Sequence, residues 1–237
     1  MEEQVSRLVD KAWAKFLSTP PSARLMIAIS GIPGSGKTTL ATTMARRLNQ
    51  RYSSIYPNVT APIATSVSMD GYHLSRAQLA AMPEPAYAIA RRGAAFTFDP
   101  AKFLRLVRAL REPLVPDSST LYAPSFDHAV KDPVEDDVPI PATSRVIFFE
   151  GNYLSLGKEP WKEAAALMDE LWFVEVDFET ARKRLVARHV RAGIAKDEEE
   201  ADRRAVENDL VNGREIVDFR LDAQEVIVSR EDESWKP

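Results

Sequence analysis

Cysteine is absent from this chain of 237 residues, and histidine occurs three times. With no thiol there is no disulfide framework, no thiolate catalysis and no thiolate zinc site. Three scattered histidines do not make a His-based metal centre. Long apolar runs are missing as well: no segment approaches the roughly 20 residues that span a bilayer, so no membrane partner is expected. Met1-Glu2-Glu3-Gln4 lacks the basic start and apolar core of a secretory leader, and a cytoplasmic enzyme is the expectation. Without a leader, the sequon Asn58-Val59-Thr60 is a coincidence of sequence. An excess of positive charge is also wanting. Thirty-one basic against 35 acidic residues leave a net charge of −4, which gives no footprint for nucleic acid. Hydrophobic and charged contents of 45% and 28% suit a globular chain with a substantial core. The length fits one α/β domain, or a domain with a sizeable insertion, and a single domain over 1–237 is expected.

Against these absences stands Gly31-Ile32-Pro33-Gly34-Ser35-Gly36-Lys37-Thr38, which fits G-x-x-x-x-G-K-[ST]. A chance match is expected in about one chain in a hundred of this length, and the flanks lower that further. Leu25 to Ser30 reads as a buried strand, and Thr39 to Gln50 as a helix with Leu40, Met44 and Leu48 on one face. Glycines let the backbone curl so that N–H groups and the helix N-terminus converge on phosphate oxygens. Gly31, Pro33, Gly34, Ser35, Gly36, Lys37, Thr38 and Thr39 are thus the expected ATP site. Lys37 would reach the β- and γ-phosphates, and the Thr38 hydroxyl would ligate Mg²⁺.

Strand and helix patterns alternate along the rest of the chain. Val5 to Leu17 is an amphipathic helix stopped by Pro20-Pro21 and expected on the sheet edge. Ile63 to Met69, Val146 to Phe149, Leu171 to Val176 and Glu225 to Ser229 read as strands. Pro100 to Leu110 is a helix with Asp99 at its N-cap. Helices from Phe178 to about Arg191 and from Asp197 to Val211, parted by Gly193, form a lid-bearing region over 178–212. From Pro113 to Pro141 there are six prolines, the acidic run Glu135-Asp136-Asp137 and little periodicity. That stretch, 113–144 at its widest, reads as an irregular excursion of the kind that forms part of a substrate site. The pattern predicts an α/β fold of P-loop NTPase type: a doubly wound, parallel, five-stranded sheet with helices on both faces and ligands at the carboxyl ends of the strands.

Two acids stand at such ends. Asp70 follows the second strand and Glu150 the third, each before a glycine. One carboxylate beside a phosphate loop can take the proton of an attacking hydroxyl, and another can hold Mg²⁺; the alternative is that each caps a turn. Arg184, Arg188 and Arg191 fall at i, i+4, i+7, a single helical face suited to charge on a transferring phosphoryl group, whereas Arg182 and Lys183 point to the surface. Arg91-Arg92-Gly93 either seats an anionic or hydroxyl-rich acceptor or forms a solvated loop. His73 is in the site or makes a structural hydrogen bond. Tyr72, Tyr87, Tyr122 and Phe126 are candidates to stack on an acceptor ring, while Trp161, Trp172 and Phe173 read as packing.

With these residues in place, the chain resembles the uridine kinase, phosphoribulokinase and pantothenate kinase group of P-loop kinases. The likeness runs from about Met26 to Ser229. It rests on Gly31 to Thr38, Met69-Asp70-Gly71-Tyr72-His73, Phe96 to Pro100, Pro124 to His128, Phe149-Glu150-Gly151 and Arg184 to His189. Nearest are the group's members with M-D-G-[FY]-H-L and E-G-N-Y segments. The resemblance implies that Asp70 is the catalytic base, aided by Lys37, Arg184 and Arg188, with Glu150 near the metal. It implies Asp99 as the acceptor-binding aspartate, Phe126 and His128 as acceptor contacts, and Arg184, Arg188 and Arg191 as a lid over the phosphates; Tyr72, His73 and Arg191 are also expected on the acceptor side. Departures fall on the acceptor side: nucleoside kinases have an Asp-Ser-Phe type segment at Asp70-Gly71-Tyr72, and Pro124 to Asp132 matches loosely.

An ATP- and Mg²⁺-dependent kinase of a small metabolite is therefore expected, as monomer or homodimer. A nucleoside is the first acceptor and a free sugar or sugar derivative the second. A regulatory NTPase is disfavoured because no Asn-Lys-x-Asp or Asp-x-x-Gly segment occurs.

Overall fold

The structure is a computed structural model and describes residues 1–230. Five strands run parallel in one sheet: β1 (Leu25–Gly31), β2 (Ala64–Ser68), β5 (Val146–Gly151), β6 (Glu170–Glu175) and β7 (Glu225–Val228), in the spatial order β2-β5-β1-β6-β7. All seven residues of β1 are buried, as a central strand covered on both faces requires. Its alternation divides the core. Met26 and Ala28 join Phe103, Val107, Phe149 and Trp161 on one face, while Leu25, Ile27 and Ile29 join Leu40, Met44, Phe148 and Trp172 on the other. The first face is closed by α5 (Pro100–Arg111) and α6 (Trp161–Ala166), the second by α1 (Glu2–Ser18) and α2 (Lys37–Ile55). Phe103 meets Tyr72, Phe149 and Trp161 in edge-on and tilted ring pairs. Truncating it to alanine would cost about 3–5 kcal/mol.

Three expectations need correcting. Helix α1 does reach the edge strand β7, but its apolar side covers a face of the sheet. Val5, Leu8, Val9, Ala12 and Trp13 are buried in the core with Ile227 of the edge strand, and the polar flank holds that strand through Gln4 to the Val228 backbone and Arg7 and Lys11 to Glu225, the last at 2.7 Å. The proline-rich stretch is not irregular. It holds an antiparallel ribbon, β3 (Leu121–Asp127) with β4 (Asp132–Ile140), whose register shifts around Pro124. A two-stranded ribbon is all edge, so Pro124, Pro133 and Pro139 can be accommodated with no ladder bond lost to a further neighbour. The expected second lid helix is a continuous run of α8 (Glu198–Arg204), a π-helical turn (Ala205–Asp209) and α9 (Leu210–Asp218), after α7 (Phe178–Arg191). Two short helices, α3 (Arg76–Ala80) and α4 (Pro85–Ala90), complete the acceptor-side connection.

Candidate active site

The phosphate loop links β1 to α2. Gly34 and Gly36 have φ of 82° and 91°, a left-handed turn that side-chain-bearing residues adopt only with strain, and Gly36 is the N-cap of α2. Gly31 is still in the strand, paired with Val174, while Pro33 and Ser35 are buried in the turn. Lys37, Thr38 and Thr39 form the first helical turn, where the orphan N–H groups and the helix dipole favour an anion. Lys37 forms no ion pair or hydrogen bond with another of the described residues. Burial lowers its proton affinity, against the opposing pull of Glu150, Asp70 and Asp209. A cation left without a partner at the mouth of a helix N-terminus fits a nucleotide phosphate.

Beside it the two acids converge. Thr38 Oγ1 donates to Glu150 Oε2 at 3.0 Å across the loop. Burial, with the negative charge of Asp70 next, pushes the Glu150 carboxyl above its ordinary range; Lys37 and the hydroxyls of Ser68 and Thr38 pull it back. Asp70 sits in a 3₁₀ turn, Met69–Tyr72, that opens at the tip of β2, and its side chain is 46% exposed, so a substrate can reach it. Two neighbouring carboxylates and one hydroxyl are a hard-oxygen set suited to Mg²⁺, which takes its other ligands from phosphate and water. Among the described residues no group of three His, Cys, Asp or Glu side chains could hold a metal unaided.

On the other side of Asp70 the ribbon packs down tightly. A Cβ on Gly71 would lie 2.0 Å from the Pro124 carbonyl oxygen, so only glycine admits the contact. The result is a cleft of about 190 Å³ lined by Gly71, Tyr72, His73, Ser75, Gln78, Asp99, Lys102, Pro133 and Glu135. Tyr72 is almost fully buried, yet its hydroxyl has no hydrogen-bond partner among the described residues. Asp99 caps α5, one carboxylate oxygen accepting from the Lys102 N–H at 2.8 Å. Lys102 in turn pairs with Glu135 across the cleft. His73 donates from Nδ1 to the Asp70 carbonyl oxygen at 2.8 Å and lies against Phe98 and Phe126 at ring separations of 4.0 and 4.9 Å. Its burial holds the imidazole below its ordinary pKa. A larger groove of about 420 Å³, lined by Phe16, Tyr52, Ile63 and Arg145 among others, opens where β2 and β5 begin, at the end of the sheet away from these acids.

Several expected contacts do not form. Tyr72 is a core ring, edge-on to Phe103, and offers its hydroxyl and not a stacking face. Phe126 is already engaged by His73, by the Arg92 guanidinium at 5.3 Å and by His128 at 5.2 Å. Neither Phe126 nor His128 lines the cleft, and His128 is exposed on the turn of the ribbon. Tyr87 stacks on Phe96 and Tyr122 is exposed. Of the arginine face, Arg184 donates to the Gly34 carbonyl oxygen at 3.2 Å, and Arg188 is near enough to disfavour the charge on Lys37. Arg191 is exposed on the last turn of α7, and no hydrogen bond or ion pair among the described residues brings it to the phosphate loop. Arg182 pairs with Asp202, and Trp161, Trp172 and Phe173 are buried, all as expected. Lys102, Ser75, Gln78 and Glu135 were missed. Lys102 alone carried a signal, standing one helical turn past Asp99.

A phosphate loop at the carboxyl end of a doubly wound sheet, with strand-tip acids beside it, defines a P-loop kinase. No family model matches the chain. The ATP-dependent kinase-like protein notR′ of Aspergillus versicolor is 62% identical over 159 residues, spanning 67% of this chain and 92% of that protein. A Schizosaccharomyces pombe protein provisionally named a uridine kinase is 41% identical over 189 residues, or 80% and 76% of the two chains. Among solved structures, a Silicibacter sp. TM1040 protein provisionally named a fructose transport system kinase matches with a TM-score of 0.78 at 32% identity, over 94% of this chain and 98% of that one. Saccharomyces cerevisiae YFH7 shares the fold at a TM-score of 0.83 and 23% identity, over 97% and 99%. The chain belongs to the uridine kinase-like group of ATP-dependent P-loop kinases.

Proposed function

We propose that this kinase transfers the γ-phosphoryl group of ATP to a hydroxyl of a sugar or sugar derivative, and that Asp70 accepts the proton of that hydroxyl. Lys37, with the N–H groups of residues 34–39, holds the phosphates. Thr38 and Glu150 hold Mg²⁺, which neutralises phosphate charge when bound. Arg184 and Arg188 close over the phosphoryl group and exclude water, which would otherwise compete with the acceptor.

The observation that carries the choice of acceptor is the lining of the cleft beside Asp70. Asp99, Lys102, Glu135, His73, Ser75 and Gln78 supply donors and acceptors for several hydroxyls, and the buried Tyr72 hydroxyl still lacks a partner. Phe126, the ring expected to stack on a nucleobase, is engaged by His73 and Arg92 and does not line the cleft. The relative provisionally named a fructose transport system kinase supports the same reading. The nucleoside expectation keeps one support, the Schizosaccharomyces pombe relative provisionally named a uridine kinase. A panel of free sugars, sugar alcohols and nucleosides, followed by ADP release and product mass, tests the choice. Turnover with a sugar and none with nucleosides is the expected result; the reverse overturns it.

A further inference from the structure

Arg91 lies between the acceptor loop and the lid, and its surroundings differ from those of its neighbour. Arg92 is neutralised: it pairs with Asp132 at 3.3 Å and donates to the carbonyl oxygens of Lys131 and Leu74. Arg91 is held only by amides. Its Nε donates to Asn208 Oδ1 at 2.9 Å and its Nη2 to Asn212 Oδ1 at 2.7 Å. Both asparagines are nearly fully buried, at 4% and 2% exposure. Asn208 is further fixed through its Nδ2, which donates to the Arg92 carbonyl oxygen at 3.0 Å. Among the described residues Arg91 makes no ion pair, and its Nη1 has no protein partner. Neutral amides orient a guanidinium without cancelling its charge. A carboxylate in either place would do both.

Arg91 does not itself line the cleft beside Asp70, but the helical run that clamps it adjoins the phosphate loop. Gly213, one residue past Asn212, lets α9 press on the loop, since a Cβ there would lie 3.3 Å from Ile32 Cβ. Asp209, between the two asparagines, is close enough to favour the charge on Lys37. Asp209 is itself tied to His189 of α7 at 2.9 Å, one residue from Arg188.

We propose that Arg91, clamped by Asn208 and Asn212, is an anion-binding residue that takes a phosphate-type oxygen from the acceptor side of the cleft. That oxygen belongs to the transferring phosphoryl group or to an anionic group carried by the acceptor. Fork-like guanidinium donors suit either. This rests on the kinase reaction and not on the choice of a sugar.

The test uses the full chain and two probes. The first is MgADP with and without aluminium fluoride, which mimics the phosphoryl group in transfer. The second is inorganic phosphate added to protein saturated with a non-hydrolysable MgATP analogue, so that the phosphate loop is already filled; the readout is melting temperature. Arg91→Gln should bind MgADP within twofold of wild type yet lose at least tenfold in the fluoride complex, or lose the phosphate-induced stabilisation. The first loss assigns the oxygen to the transferring group, the second to the acceptor. Asn212→Asp keeps the hydrogen bond and adds a counter-charge. If Arg91 were only a strut, that variant would be as stable as wild type or more so, with both responses intact. Survival of both responses in Asn212→Asp, or in a folded Arg91→Gln, overturns the proposal.

Discussion

The donor side of the cleft takes its phosphate contacts from one unbroken stretch, Gly31 to Thr39, whereas the acceptor side gathers its contacts from the turn after β2, α3, the start of α5 and the ribbon. The first is mostly backbone chemistry: glycines at φ of 82° and 91°, a helix N-terminus and one lysine without a partner among the described residues. Any P-loop enzyme can use it unchanged. The second is side-chain chemistry, assembled by packing a ribbon onto Gly71, and can be altered without touching the donor. Substitutions on the two sides should therefore fail in different ways, one losing turnover on every acceptor, the other losing discrimination.

The largest effect should come from Lys37→Ala, which removes the cation at the helix mouth. Turnover on every acceptor should fall below about a thousandth of wild type while circular dichroism stays native; near-normal ADP release would break the donor half of the comparison. Asp70→Asn sits where the halves meet. It should bind MgATP almost normally and turn over about 10²–10⁴-fold more slowly, the usual worth of a positioned base. Weaker MgATP binding with little loss of rate would instead make Asp70 a metal ligand.

Asp99→Asn belongs wholly to the acceptor side. Asparagine can still accept from the Lys102 N–H, so the cap, worth about 1 kcal/mol, should persist and the melting temperature hold. The acceptor KM should rise at least tenfold, because a neutral amide cannot match charge-assisted bonds to hydroxyls. An unchanged KM would leave Asp99 as a cap alone. Tyr72→Phe should be milder. It deletes a buried hydroxyl without a partner, so stability should hold or rise by about 1 kcal/mol, while the acceptor KM climbs roughly threefold.

The smallest effect concerns His73. Burial holds its folded pKa below the unfolded value of about 6.5, so the folded state binds its proton less readily. Stability should be whole above that pH and decline as pH falls through and below it. Asp70 opposes the shift, while Arg92 and His128 reinforce it. Melting temperatures at pH 7.5 and 5.5 should therefore drop further for wild type than for His73→Phe, and equal drops would remove His73 from this role.

The same division governs what could be read from the sequence. The donor side was legible because its signals are local: a motif, an apolar strand before it and a helical period after it. Asp70 and Glu150 were legible as single acids at strand tips. The ribbon was not, because Pro124, Pro133 and Pro139 and the exposed Glu135 to Asp137 erase the alternation that marks a half-buried strand. Phe126 misleads for a different reason. Its type suits stacking, but what covers its ring arrives from His73 and Arg92, at 53 and 34 residues' remove along the chain. Sequence alone leaves Arg91 open, since its partners Asn208 and Asn212 lie 117 and 121 residues away and asparagine carries no periodic signal.

The most direct measurement compares D-ribose with uridine as acceptors for wild-type protein, by ADP release at matched MgATP. The two share a diol and differ by the base. With the Phe126 ring already engaged by His73 and Arg92, ribose should be phosphorylated with a kcat/KM at least equal to that of uridine, and Asp99→Asn should lower both. A kcat/KM for uridine more than tenfold above that for ribose would contradict the sugar-binding cleft and restore the nucleoside as the acceptor.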